Sequence, residues 1–445
     1  MRDFSRRHLL GASAGALALG ALTACGGSSA TDAGGNSAPA ASGDGGKGGY
    51  DGPEVTLAFW NGFTGGDGAY MKTIVDAFQK EHDNIKVQIL TMQWADFYTK
   101  LPTAVQAGKG PDICVMHIDQ VATNAARKVI QPLDDVAQAL DLSEADFAEV
   151  PWKAGIYQDT RYALPLDVHP LGFFYNKDVM EKGGLDPDNP PMTLDAYMDA
   201  LDKLKGKGIK GHWATPHVFT GSQTLQSLIY QFGGSMYADD GQTATWNSPE
   251  AVQAFEWWMG LIDEGYSPAK VAQDADFIAL QNGEAAFNWN GIWSINTLME
   301  KKDLNWGVVR LPNIGGTDAA WASSHQFALP VSKKADENKA QAARVFLNYV
   351  SEQSLEWAKG GQIPARNEVR ESEDFAKLEH QAALAEQIDV LHFPPTIPGI
   401  GDVAVEFEKA LNSIVIGGKG IKAELDASVG RANKVLEANR KKYEG

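Results

Sequence analysis

An α/β protein of two domains is the fold class this chain predicts, and three observations carry that reading. From Pro53 onward the chain offers a body of about 390 residues, more than one hydrophobic core ordinarily serves. The body opens on apolar residues that switch between period two and period 3.6. Its third apolar run, residues 113–116, is continuous rather than alternating, as in a strand covered on both faces.

The elements follow in order. Val55, Leu57 and Phe59 alternate with polar or small residues, the spacing of a strand, and Met71, Ile74, Val75 and Phe78 recur at helical spacing. Ile85, Val87 and Ile89 return to strand spacing, and residues 108–111, with Gly and Pro, break the helix that follows. Strand, helix, strand, helix, strand implies right-handed crossovers and a largely parallel sheet. Ligands of such sheets bind beyond the carboxyl ends of the strands. Trp60-Asn61-Gly62-Phe63-Thr64, after the first strand, and His117-Ile118-Asp119, after the third, are therefore the places to look.

Two segments of another kind precede the body. Residues 1–24 read as an export signal: Arg6-Arg7 resembles a twin-arginine motif, and residues 9–22 are a weakly apolar run too short to span a bilayer. Leu22-Thr23-Ala24-Cys25 resembles a bacterial lipobox, in which Cys25 takes diacylglycerol and becomes the mature N-terminus. Residues 25–52 are nearly all small or polar, a flexible tether reaching on the order of 30 Å. No later run approaches eighteen apolar residues, so the membrane is met only through the lipid, outside the cytoplasm. Asn84 reads as a turn residue.

The formal charge is −18, and removal of residues 1–24, with three Arg and one Asp, leaves −20. Such a body repels nucleic acid and anionic lipid alike. The two cysteines are Cys25 and Cys114; with the first acylated no disulfide forms, and Cys114 reads as a small hydrophobe in a buried strand.

Further motifs occur in order: Gly110-Pro111-Asp112-Ile113, Ile130-Gln131-Pro132-Leu133-Asp134, Tyr162-Ala163-Leu164-Pro165 and Phe174-Tyr175-Asn176-Lys177-Asp178. Asn282-Gly283-Glu284-Ala285-Ala286, Gly291-Ile292-Trp293 and Gly361-Gln362-Ile363-Pro364-Ala365-Arg366 complete the series. Together they resemble the carbohydrate-binding lipoproteins of ABC importers, the family 1 extracellular solute-binding proteins related to maltose-binding protein. Ala322-Ser323-Ser324-His325 departs from the Gly-Gly common in relatives, and Gly211-His212-Trp213-Ala214-Thr215-Pro216-His217 matches no family pattern.

The resemblance implies a periplasmic-binding-protein-like fold of two lobes, each a mostly parallel sheet flanked by helices and hinged around a ligand cleft. Carried onto this chain, lobe one is residues 53–164 plus 326–367 and lobe two is 165–325 plus 368–445. The crossings fall near residues 164–167 and 321–327, with a return near 367–370. The implied partners are a carbohydrate ligand and the importer's transmembrane permease, and a monomer with no cofactor is expected.

A sugar offers hydroxyls, each donor and acceptor, and C–H faces that pack on aromatic rings, so its site needs flat rings beside polar side chains. Of the 12 tryptophans, Trp60, Trp94, Trp213, Trp293 and Trp321 fall in polar or Gly-rich breaks, whereas Trp257, Trp258 and Trp306 read as core. The polar candidates are Asn61, His117, Asp119, Asp167, His169, Asn290, Ser323, Ser324, His325, Gln362 and Arg366. Asp167, His169 and Trp293 stand first, because hinge and cleft coincide there.

Other chemistries fare less well. His117, His169, His217 and His325 lie near the expected cleft, but no two stand at ligand spacing and no His/Cys cluster is visible, so no metal site is expected. A secreted glycosidase would use paired carboxylates, for which Asp119 and Asp167 are candidates, yet a sugar binder needs such groups equally. An anionic solute, a glycerol phosphodiester or sugar acid, is the nearer alternative; it would want Arg or Lys in the cleft, and only Arg366 is cationic among the candidates.

Overall fold

The computed structural model describes residues 49–217 and 220–443; the export signal, the lipobox with Cys25 and the tether up to residue 48 lie outside the described residues. The ordered body begins earlier than the sequence suggests. Tyr50 is buried in a hydrophobic core, its hydroxyl donates to the Pro53 carbonyl at 2.7 Å, and the Asn84 amide donates to the carbonyls of Tyr50 and Gly52. The residue read as a plain turn thus fastens the chain entry.

Strands β1 (Val55–Asn61), β2 (Ile85–Thr91) and β3 (Ile113–His117) are joined by helices α1 (Asp67–Glu81) and α2 (Trp94–Gln106). They pair in parallel in the order β2-β1-β3. Val55, Leu57, Phe59 and Asn61 are the buried positions of β1, and Met71, Ile74, Val75 and Phe78 are the buried stripe of α1, so both sequence periods are obeyed. Cys114 is free and fully buried in β3. Helix α3 (Ile118–Ala126) starts directly after His117, which turns the chain at the strand's end.

After a small hairpin of β4 (Ile156–Tyr157) and β5 (Thr160–Arg161), β6 (Leu164–Pro165) joins the first sheet, and β7 (Asp167–Asn176) founds the second. All ten residues of β7 are buried. It pairs with β8 (Phe287–Gly291), β9 (Trp306–Val309), β10 (Ala320–Ser323) and β12 (Ile363–Pro364), and β10 pairs with β13 (Leu391–His392). The next strand after β10, β11 (His325–Ala328), lies back in the first sheet between β3 and β6, completing the order β2-β1-β3-β11-β6. The chain therefore changes sheet at Leu166, at Ser324 and before Ile363.

Two features differ from expectation. Among the described strands, parallel ladders join β1–β3 and β10 with β13, and isolated parallel bridges join Thr193 to Asn313 and His212 to Phe287; the partner strands of β7 in its ladders, and both partners of β11, run antiparallel. Parallel pairing needs a covering crossover between successive strands; β7, β11 and β12 each enter directly from the other sheet, whereas β8, β9 and β10 lie in the second sheet between crossings and run back along β7. The return into the second sheet also comes at Ile363, four residues before the expected Asn367.

Each sheet has its own core. Leu57, Phe59, Phe78, Phe346 and Trp357 anchor one cluster, and Phe173, Tyr197, Trp246, Trp258, Phe287 and Phe407 the other. Each such buried side chain contributes about 1.5–3 kcal/mol. Trp258 is core as expected, and Trp257 and Trp306 pack against cores while half-buried.

Candidate ligand site where the chain crosses between sheets

The crossings bring together residues distant in sequence. Antiparallel β3 and β11 place His325 opposite His117, and β10 against β7 places Ser323 opposite His169. Facing residues of paired strands project to one side, so the His117 and His325 rings lie 5.1 Å apart between centroids. One residue beyond Ser324 the chain is already at His325, whose ring lies 4.2 Å from that of His169. The ligand-capable atoms of His117, His169 and His325 all lie within 4.8 Å of one another.

Asp167 organises this cluster. Its Oδ1 accepts from the backbone N–H of His325 at 2.9 Å and from Nδ1 of His169 at 3.0 Å; its Oδ2 accepts from Nδ1 of His325 at 2.7 Å and from the indole N–H of Trp357 at 2.8 Å. An ionised carboxylate only accepts, so both rings carry their proton on Nδ1. Burial pushes the Asp167 carboxyl up, but the charge of His325 and the hydrogen bonds and charge of both rings outweigh it and hold the group well below the usual carboxylate range. Burial, then the proximity of His325, lowers His169 to about 4; the same causes, with His169 added, hold His117 well below the ordinary imidazole range. His117 Nδ1 is paired with the Tyr98 hydroxyl at 2.6 Å, and that hydroxyl also accepts from the His117 backbone N–H at 3.0 Å.

Aromatic rings surround the imidazoles. Trp94 is stacked near His325, Phe63 meets His325 edge-on at 4.9 Å, and Trp293 and Trp321 lie 6.1 and 6.2 Å from His169. Two glycines make room: a Cβ on Gly62 would come within 2.1 Å of the Trp94 ring, and one on Gly291 within 2.1 Å of Trp293. Beside this set, the Gln362 amide donates to Asp67 at 3.4 Å; Asp67 Oδ1 and Gln362 Oε1 are buried without a partner, and burial pushes Asp67 up to about 6.

Of the residues expected from sequence, Trp94, His117, Asp167, His169, Trp293, Trp321, Ser323, Ser324 and His325 come together here, with Gln362 alongside. Asp167 does so in another role than expected, because internal donors fill its acceptor positions. The remainder are placed elsewhere or already occupied. Trp60 borders the cluster of Phe97 and Leu101 beside β3, as Trp94 and Tyr98 do. Asn61 Oδ1 accepts from the Phe63 N–H and the Thr91 hydroxyl, which shapes the loop after β1. Asp119 accepts from Gln120 at 2.7 Å near Gly401. Asn290 donates to Asn288, and its Oδ1 accepts from the Gly291 N–H. Arg366 donates to Ser351 and lies over the Phe147 ring, away from the histidines. Trp213 lies in a loop packed on the N-terminus of the helix Gly221–Gln231, and its indole N–H is buried without an acceptor.

The expectation that no histidine cluster exists is overturned: three of the four histidines converge, and ligand spacing along the chain could not reveal it because they belong to three strands. Asp67, Tyr98 and Trp357 are not among the residues expected from sequence, and Phe63 is placed only within the loop after the first strand. Trp94 and Tyr98, at i and i+4 on one helix face, carried a usable signal; Trp357, inside a helix, carried none. A groove between the helices Ile400–Val415 and Ile421–Tyr443 shares no residue with this cluster and is rimmed by the ion pairs of Glu406 with Lys409 and Arg431.

Two sheets with separate cores, joined by crossing segments that gather aromatic and polar side chains, define a two-lobed binding protein. Residues 73–383 match a family model described as bacterial extracellular solute-binding protein, and the chain belongs to that family, whose members work outside the cytoplasm. Among similar proteins are the sn-glycerol-3-phosphate-binding periplasmic protein UgpB of Shigella dysenteriae, 24% identical over 412 residues, covering 86% of this chain and 92% of that protein. The galactooligosaccharide-binding protein of Bacillus subtilis is 23% identical over 380 residues, covering 83% and 87%. The cyclic alpha-maltosyl-1,6-maltose binding protein of Arthrobacter globiformis shares the fold, with a TM-score of 0.72 at 22% identity, covering 87% of this chain and 100% of that one. Among the described residues no helix is long and apolar enough to cross a membrane.

Proposed function

We propose that the protein captures a neutral sugar or oligosaccharide between its lobes and presents it to the permease of an ABC importer, acting as a binder rather than an enzyme. The observation that carries this reading is the ring of Trp293 and Trp321 around His169, where aromatic faces stand beside polar groups able to meet hydroxyls. The charge state favours a neutral solute. Asp167 is ionised, His117 and His169 are uncharged at neutral pH, and Arg366 is engaged elsewhere. The anionic alternative has a relative behind it, the glycerol-phosphate-binding protein, but Arg366, the cation that would serve such a solute, pairs with Ser351 instead. The lobes would be those expected from sequence, with lobe one extended back to Tyr50 and the return moved to Ile363.

A thermal-shift screen of neutral sugars beside sn-glycerol 3-phosphate tests the choice, because a ligand bound by the folded state raises the melting temperature. A shift with the phosphate alone would reverse the reading. With the sugar identified, Trp293→Ala is expected to weaken affinity by about 2 kcal/mol, roughly thirtyfold, while leaving the unliganded melt nearly unchanged. Trp357→Ala should do the opposite, costing about 3–5 kcal/mol of folding stability, since that ring is fully buried and donates to Asp167. A Trp293→Ala protein with normal affinity and a collapsed melt would place Trp293 in the core.

The proposal includes tethering through Cys25 to the outer face of the cell membrane, as a monomer. Cys25→Ala is then expected to release folded, ligand-competent protein into the medium. Retention of that variant on membranes washed in high salt would remove the lipid anchor from the proposal.

A further inference from the structure

We propose that His117, His169 and His325 bind one divalent transition-metal ion of the zinc class, bridging the two sheets. One ring nitrogen of each lies within 4.8 Å of the others, and each ring is oriented by a hydrogen bond at Nδ1. Nδ1 of His169 and His325 is held by Asp167, and Nδ1 of His117 by Tyr98, which leaves the three Nε2 atoms as the metal donors. An acceptor behind the imidazole is the second layer of metal-binding histidines, because it sets the tautomer and raises basicity; Asp167 is that acceptor for His169 and His325, and the Tyr98 hydroxyl is for His117 once that ring carries its proton on Nδ1. Here it is built before any metal arrives.

The donor set selects the ion. Three uncharged nitrogens without thiolate suit Zn(II), Ni(II) or Cu(II), and exclude Ca(II) and Mg(II), which take oxygen ligands. Asp167 lies directly behind two of the rings and offsets part of the metal's charge. Three protein ligands leave a fourth position for water or a solute oxygen. With Zn–N bonds near 2.0–2.1 Å, tetrahedral donors stand about 3.4 Å apart, so the rings must draw in by up to roughly 1.5 Å. His117 and His325 belong to the first sheet and His169 to the second. Drawing them together therefore pulls the lobes toward each other, and the metal acts as a clasp on the closed form.

The test uses the purified mature protein, stripped with chelator and titrated calorimetrically with zinc chloride in the absence of sugar. One equivalent is expected to bind with a dissociation constant below about 1 μM and to raise the melting temperature; Co(II) should give the visible absorption of a tetrahedral site. His117→Gln should lose at least about a hundredfold in zinc affinity and Tyr98→Phe about tenfold, each with a native circular-dichroism spectrum, whereas His380→Ala should change nothing. Zinc binding weaker than about 100 μM, or binding indifferent to His117→Gln in a folded protein, overturns the proposal. If His117→Gln fails to fold, Tyr98→Phe decides: unchanged zinc affinity in that variant also overturns it. Sugar titrations of the stripped protein are read separately, so failure here leaves the sugar reading standing and the converse holds equally.

Discussion

Asp167→Ala is expected to lower the unfolding free energy by about 3–5 kcal/mol, the range found when one partner of a buried charged network is removed. The carboxylate is fully buried and receives donors from His169, Trp357 and both the backbone and ring of His325. Alanine would leave those N–H groups facing a cavity, each costing about 1–3 kcal/mol unless a ring changes tautomer or water enters. Asp167→Asn should cost less, since its amide oxygen still accepts, but its NH2 faces one imidazole, which must take the other tautomer, and either the Trp357 indole or the His325 backbone N–H, which then loses its acceptor. Denaturant melts of both variants without ligand check this. A loss under about 1 kcal/mol for alanine would mean the site does not depend on this carboxylate.

Acidification from pH 7.5 to pH 5 is expected to remove a net of about 1–2 kcal/mol of stability through His169, His212, Asp67 and Asp276, measured in the presence of chelator. His169 is lowered to about 4 and His212, buried with its ring against Tyr197, to about 3, with His117 well below its ordinary value. The unfolded chain protonates these rings near pH 6.5 while the folded one does not, so stability falls as pH drops through 6.5, by about 2 kcal/mol at pH 5 for each of His169 and His212 and in the same direction for His117. Asp67 and Asp276 act in the opposite direction. Burial raises each to about 6, so the folded state binds their protons first and gains about 1 kcal/mol from each over the same interval. The depressed Asp167 still contributes at pH 5 and is lost only below about pH 4, where the unfolded carboxylate protonates. A melting temperature that is flat or rises between pH 7.5 and 5 would contradict the assignment of neutral buried imidazoles.

Local patterns made the first three strands and their helices legible, because Leu57 and Phe59 in β1 and the Met71–Phe78 stripe of α1 each bury one face of a short element. The Gly291-Ile292-Trp293 motif likewise pointed to a ring that does reach the cluster. Trp60 and Arg366 have the same loop-like setting in sequence, yet Trp60 borders the cluster beside β3 and Arg366 pairs with Ser351. Their loop-like setting revealed that a side chain leaves a strand or turn, but carried no information on which neighbour it meets. The antiparallel surroundings of β7 are hidden for a related reason, since strand direction there depends on how the intervening helices and loops return the chain to β7, which periodicity does not record.

By itself the sequence determined the α/β alternation at the start of the body, a buried unpaired Cys114, an acidic surface and the presence of enough aromatic and polar residues for a sugar site. Only the tertiary structure decided that His117, His169 and His325 meet, and that Asp167 holds two of them instead of facing a ligand. The reason is register. Sequence periodicity records which face of a strand a residue takes, whereas the pairing of β11 with β3 and of β10 with β7 sets which residues stand opposite, and a shift of one residue would turn those histidines to the other face.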